Sequence, residues 1–347
     1  MFKLKNIVRN NILNLKPYSS ARDEFSGDSS IFLDANENPF GKLNRYPDPY
    51  QKKLKKILGT IKSINDENIF IGNGSDEIID LVYRVFCTPK KNKAITFSPS
   101  YGMYDVSAEI NEVELIKIPL NNSFQIDLHI LKKYLENKNI KVIFICSPNN
   151  PTGNNINNIE WILENFNGIV VVDEAYIDFS FVDSFITKIT KYPNLIVLQT
   201  LSKAWGLAAA RVGMGFASKE IISILNKVKP PYNISELNQH AAIDALENYD
   251  SFKKTKAIII EQKNWLVKNL STLKFVKKIF PSDANFILVE TTNAIKIYNY
   301  LVENKIITRN RHMVVNNCIR ITIGTKKENI QLFDVLKKLQ NEENIIY

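Results

Sequence analysis

The sequence predicts an α/β protein: a mostly parallel seven-stranded sheet flanked by helices, followed by a smaller α+β domain. Two observations carry this. From about residue 52 to 217, short β-rich apolar runs alternate with helical segments. From about Asn238 the texture changes to a long helical stretch and then to short strands set between helices.

The strand-like runs are Ile69–Ile71, Ala94–Phe97, Leu115–Ile118, Val142–Cys146, Ile169–Asp173, Ile196–Thr200 and Val212–Ala217. Helical patterns lie between several of them, as at Asp76–Phe86 and Ile159–Asn165. Ligands of such sheets bind outside the carboxyl ends of the strands, so the residues that follow each run draw the chemistry. Beyond Leu270, strands are expected near Phe275–Phe280, Asn285–Val289 and Ile319–Ile323, with helices near Ala294–Glu303 and Lys327–Leu339. This divides the chain into an arm with a substrate-side segment (1–45), a large cofactor-binding domain (46–240) and a small C-terminal domain (241–347). In the arm, Ile7, Val8, Ile12, Leu13 and Leu15 suit one short amphipathic helix ending before Pro17.

Composition narrows the function. The 347 residues are 45% hydrophobic and 23% charged, a globular balance. No apolar run reaches the roughly 18 residues of a membrane span, and the basic N-terminal segment lacks the apolar core of a secretory signal. The net charge of +9 comes from scattered lysines that form no basic stripe. It therefore favours small anions, phosphates and dicarboxylates, over nucleic acid or a membrane surface. Three widely spaced cysteines argue against a disulfide framework and fit a reducing cytoplasm. The three histidines show no metal-ligand spacing, so no metal is expected.

Several strand-closing segments carry reactive groups. Thr200–Leu207 contains Lys203 just after an apolar strand, where its amine can form an imine with an aldehyde cofactor if its pKa is lowered. Ser202 and Arg211 beside it offer a hydroxyl and a guanidinium fork to a phosphate. Asp173 closes Val171–Tyr176 and can pair with a protonated ring nitrogen, while Tyr176 can reach a ring hydroxyl. Asn150, in Ser147–Gly153, can donate an amide hydrogen to a ring oxygen. The glycine turn Gly72–Glu77 precedes a helix from about Ile78; Ser75 can cap it, and free N–H groups there attract a phosphate. Tyr101, in Ser98–Tyr104, offers a flat face for stacking. Arg320 lies inside the apolar strand Cys318–Gly324, where an anionic ligand or a structural ion pair must compensate it. Each feature alone has an ordinary alternative: a surface lysine, a strand-end cap, a rigid turn or a packed aromatic.

Together these segments, in this order, resemble fold-type I aminotransferases dependent on pyridoxal 5′-phosphate (PLP). Within that group the chain is similar to the histidinol-phosphate aminotransferases, through Lys16–Arg22, Leu33–Gly41 and Asn44–Pro49. The resemblance spans nearly the whole chain and implies a role for each residue. Lys203 would be the Schiff-base lysine and proton shuttle, Asp173 the partner of the pyridine nitrogen, and Asn150 and Tyr176 the ligands of the ring oxygen. Tyr101 would cover the ring face. Backbone at Ser75 and Asp76, with Ser202 and Arg211, would hold the cofactor phosphate. Tyr46 would reach the cofactor of a neighbouring subunit, implying a homodimer with composite sites. Arg320 would bind the glutamate carboxylate and help with the substrate phosphate, with Tyr18, Asn36 and Arg309 as further substrate contacts. The implied reaction is transamination between glutamate and imidazole-acetol phosphate, giving 2-oxoglutarate and histidinol phosphate in histidine biosynthesis. The segment from Arg309 to Arg320 is shorter than the family pattern and carries a second arginine, Arg311. Which of Arg309 and Arg311 meets the substrate phosphate stays open. The competing readings are a related aromatic aminotransferase, a threonine-phosphate decarboxylase, a PLP-binding regulator and a basic nucleic-acid binder on an inactive enzyme fold.

Overall fold

The computed structural model describes residues 2–19 and 31–345; Ser20–Arg22 of the segments discussed above fall outside it. Its larger sheet contains β1 (Ile69–Asn73), β2 (Lys93–Ser98), β3 (Glu114–Pro119), β4 (Ile140–Cys146), β5 (Ile169–Asp173), β6 (Leu195–Thr200) and β7 (Val212–Ala217), in the order β1-β7-β6-β5-β4-β2-β3. Only β7 runs against its neighbours; the other pairings are parallel. The expected mostly parallel seven-stranded sheet is borne out. The exception has a local cause. The link from β6 to β7, Leu201–Arg211, is too short to hold a crossover helix, so the chain turns back antiparallel. That turn keeps Lys203 at the carboxyl edge of β6.

The sheet is covered on both faces, as parallel strands require. All five residues of β5 are buried. Val170 and Val172 point into one apolar cluster, and Ile169 and Val171 into the other, the two-residue period of a strand. The covering helices are α1 (Asn10–Leu13), α2 (Lys52–Lys62), α3 (Gly74–Phe86), α4 (Met103–Ile110), α5 (Leu128–Leu135), α6 (Ile159–Asn165), α7 (Lys219–Val228) and α8 (Glu236–Glu247). The long α9 (Tyr249–Leu270) leads to a second, antiparallel sheet, which has α10 (Ala294–Glu303) and α11 (Lys326–Ile345) packed with it. That sheet has the order β10-β11-β9-β8, with β8 at Val276–Ile279, β9 at Phe286–Thr291, β10 at Arg309–Asn310 and β11 at Cys318–Thr322.

Three expectations need correction. The arm is not one helix: a 3-10 turn at Leu4–Asn6 and the short α1 are separated by Arg9 in an extended conformation. The Arg9 backbone N–H bonds to the Val85 carbonyl at 3.0 Å, and Val8 and Ile12 fill the core below. The helical stretch from Asn238 is two helices, because Asn248 leaves helical geometry at φ −94°, ψ 45°. Helix α3 begins at Gly74, earlier than expected, so Ser75 lies inside its first turn and is not its cap.

Helix α3 can start so close to the sheet because β7 presents Gly213 beneath it. A Cβ at Gly213 would stand 2.3 Å from Gly74 C and from Ser75 N, both backbone atoms that cannot step aside. Gly213→Ala should therefore displace the start of α3. It should cost about 2 kcal/mol or more, as overpacking of a tight interior does, and lower the thermal midpoint measured by calorimetry. An unchanged midpoint would contradict this packing.

Candidate active site

The loops that follow β1, β2, β4, β5 and β6 open on one edge of the large sheet and enclose a cleft of about 130 Å³. Nine of the residues singled out in the sequence line it: Ser75, Asp76, Tyr101, Asn150, Asp173, Tyr176, Ser202, Lys203 and Arg211.

Asp173, the last residue of the central strand β5, is 2% exposed. Its Oδ2 accepts a hydrogen bond from the Tyr104 hydroxyl at 2.8 Å, and its Oδ1 accepts one from the Ala175 N–H at 3.1 Å. No described lysine or arginine lies within the 4.0 Å of an ion pair. Burial accordingly pushes its pKa up to about 6, against the pull of those two hydrogen bonds. Tyr104 is itself fully buried, stacked on Phe144 at 5.0 Å. Sequence reasoning quoted the Tyr104 segment without assigning this residue a task. Its contact with Asp173 joins α4 to β5 across 69 positions, and no local pattern signals it. Thr200 and Cys146, which also line the cleft, went unassigned for the same reason.

Lys203 enters from the β6–β7 turn. Its Nζ sits 5.7 Å from the centre of the Tyr176 ring. The crowded walls lower its pKa, and the positive charge of Arg320 adds to the effect. Behind the lysine, Trp205 stacks on Phe252 of α9 at 3.9 Å and pins the turn. Thr200 steadies its start: the Thr200 Oγ1 accepts from the Ser202 N–H at 3.1 Å and lies 2.9 Å from the Ser202 hydroxyl.

At the far end, the first turn of α3 presents backbone N–H groups with no partner inside the helix. Gly74 takes φ +71°, and its missing Cβ leaves room for the Arg211 guanidinium, which would otherwise be 2.4 Å away. The Asp76 carboxylate faces sideways. It accepts from the Tyr101 hydroxyl at 3.0 Å and pairs with Arg211 at 3.2 Å. The Tyr101 ring meets Tyr104 edge-on at 5.7 Å.

The second sheet reaches the cleft through Arg320. Its Nη1 donates to Asn150 Oδ1 at 2.5 Å, and its guanidinium lies 5.2 Å from the centre of the Phe286 ring, which meets Tyr176 edge-on. With its oxygen engaged, Asn150 has its amide N–H groups to offer a ligand. Five predicted contacts do not line the cleft; Arg320 meets it only through Asn150, and the other four stand farther off. Tyr18 is exposed, Asn36 occupies a left-handed turn, Arg309 is exposed on β10, and Tyr46 stacks on Tyr232 at 4.4 Å.

These groups fit PLP. A dry carboxylate without a protein cation could pair with a protonated ring nitrogen. An amine with a lowered pKa could bind the aldehyde. A helix start with a serine and an arginine could hold a phosphate.

Fold and site together define a PLP-dependent transferase. The description Aminotransferase class I and II matches residues 24–336, and the chain belongs to that family, which is PLP-dependent. The histidinol-phosphate aminotransferase of Cytophaga hutchinsonii is 51% identical over 345 residues, covering 97% of this chain and 99% of that protein. Among solved structures, the histidinol-phosphate aminotransferase from Clostridium acetobutylicum superposes with a TM-score of 0.79 at 25% identity, covering 86% of this chain and 92% of that one. The Sinorhizobium meliloti enzyme in complex with pyridoxal-5′-phosphate shares the fold at a TM-score of 0.77 and 23% identity, over 88% and 90% of the two chains.

The raised pKa of Asp173 has a consequence for the cofactor-free protein. A carboxyl whose folded pKa lies above its unfolded value stabilises the fold fully below the unfolded pKa of 3.8, and that contribution is lost as pH rises through about 6. Glu174 behaves alike, raised to about 7 by burial. Asp173→Asn removes the first of these penalties. In urea unfolding without cofactor, the variant should gain on the parent by on the order of 2 kcal/mol between pH 4.5 and 7.5. An equal stability difference at both pH values would rule out a buried, titrating Asp173.

Proposed function

We propose that the chain transfers an amino group reversibly between glutamate and imidazole-acetol phosphate, yielding 2-oxoglutarate and histidinol phosphate, a step of histidine biosynthesis. The observation that carries the reading is the meeting of Lys203 and Asp173 in one cleft, at the ends of neighbouring strands. The 51% identity over nearly full length supports the substrate. It favours this reading over the aromatic aminotransferase and the threonine-phosphate decarboxylase.

PLP, when bound, supplies a carbonyl carbon that accepts the amino group and a ring that withdraws electrons from it. With PLP bound, Lys203 would hold it through Nζ. Freed by the incoming amine, that Nζ would be the base that takes the substrate's α-proton and returns it across the transferred nitrogen, at the cofactor carbon that receives the amino group. Its lowered pKa keeps more of it in the neutral, basic form that this step needs. Asp173 keeps a proton on the ring nitrogen, and Tyr104 and Ala175 fix the carboxylate for that task. Asn150 and Tyr176 orient the ring oxygen, and Tyr101 covers one face. The backbone of Ser75 and Asp76, with Ser202 and Arg211, anchors the phosphate. Arg320, already held by Asn150, binds the carboxylate of glutamate. Tyr18, Asn36 and one of the pair Arg309 and Arg311 border the substrate.

The working unit in this reading is a homodimer. Tyr46 is half exposed and stacked on Tyr232, and Leu33, Phe40 and Leu43, close by in sequence, are also exposed, apolar side chains that a second copy would cover. A cytoplasmic setting accords with three free, buried cysteines.

Borohydride reduction of the loaded enzyme followed by peptide mass mapping should place the cofactor on Lys203. Lys203→Ala should abolish that adduct and lower turnover by on the order of 10³-fold or more. Titrating loaded enzyme with histidinol phosphate, phenylalanine and threonine phosphate tests the substrate. The cofactor absorbance should respond at the lowest concentration to histidinol phosphate. A stronger response to either competitor would overturn the assignment.

A further inference from the structure

Three arginines stand on one face of the second sheet, and one of them, Arg320, reaches the cleft through Asn150. Arg309 and Arg320 are direct partners across the β10–β11 ladder, so their side chains share a face. Arg311 follows two residues after Arg309, and its backbone N–H continues the pairing to the Cys318 carbonyl at 2.9 Å. The two-residue period of a strand returns its side chain to that same face.

The three are not equivalent. Arg309 is exposed, whereas Arg311 and Arg320 are partly buried. The Nε of Arg311 and the Nε of Arg320 are both buried without a hydrogen-bond partner among the described residues. Arg311 and Arg320 also act electrostatically on the Tyr176 hydroxyl, which lines the cleft. No described carboxylate comes within 4.0 Å of any of the three guanidinium groups. Clustered cations with dry, unpaired donors are costly, and a ligand carrying more than one negative charge offsets that cost. A monocarboxylate could satisfy Arg320 alone.

We propose that Arg311 is a direct ligand of the substrate's phosphate group, placed inward of Arg309 and acting with Arg320. Arg311 then sets the preference for phosphorylated amino compounds over their dephosphorylated forms. Arg309, at the exposed edge, contributes long-range attraction. This rests on the substrate reading given above.

The test compares Arg311→Gln and Arg309→Gln in the full-length, PLP-loaded enzyme. Two probes are used: inorganic phosphate, read as inhibition of the glutamate half-reaction, and histidinol phosphate against histidinol, read by cofactor absorbance. Loss of one charge-assisted hydrogen-bonding group is expected to weaken binding by about 10- to 100-fold. Arg311→Gln should show that loss for inorganic phosphate and for histidinol phosphate, with a far smaller change for histidinol. Arg311→Lys should recover part of it. Arg309→Gln should change each by under about fivefold. The proposal is overturned if Arg309→Gln carries the loss instead, or if Arg311→Gln weakens histidinol and histidinol phosphate equally. If the parent enzyme does not convert histidinol phosphate, the substrate reading fails, and the inorganic phosphate measurement still decides the role of Arg311.

Discussion

A carboxylate buried without a protein cation at ion-pair distance is the constraint around which this molecule is arranged. Asp173 ends the central strand of the larger sheet, is walled in by Tyr104 and Cys146, and is hydrogen-bonded only by neutral donors, with Lys203 acting on it from beyond ion-pair distance. Burying such a group costs several kcal/mol unless a positive partner arrives. A protonated ring nitrogen is that partner on the proposed function. The same low-dielectric surroundings that make the empty carboxylate unfavourable strengthen its grip on a cation.

The remaining parts follow from holding a flat ring against that carboxylate. The short β6–β7 turn forces antiparallel pairing and presents Lys203 at the same edge, one strand away. Gly213 lets α3 begin against the sheet, which sets backbone donors and Arg211 at the opposite end of the cleft. Arg320 ties the second sheet to the first through its hydrogen bond to Asn150, which on the proposed function joins the substrate side to the cofactor side. On the proposed function, chemistry, anchoring and selectivity thus come from three separate stretches of chain fixed to one frame.

Much of this was legible in the sequence because parallel strands announce themselves. The Ile-Val-Val-Val run of β5 is buried on both faces, and the residue that closes it is on the functional edge by topology alone. Lys203, Asp173 and Asn150 were readable on those grounds. What escaped depends on contacts between distant segments. Tyr104 lies on a helix, and nothing nearby in sequence marks its reach to Asp173. The two-residue strand Arg309–Asn310 is too short to leave a periodic signal, yet its register decides which arginines share a face. The arm helix failed because an apolar count ignored Arg9, whose backbone pairs with Val85 and breaks the helix.

The most direct measurement is ¹⁵N NMR of the enzyme loaded with PLP labelled at the ring nitrogen. The account predicts a protonated pyridinium signal at neutral pH that reverts toward the free base in Asp173→Ala. A free-base signal in the parent enzyme, or one indifferent to that substitution, would contradict it.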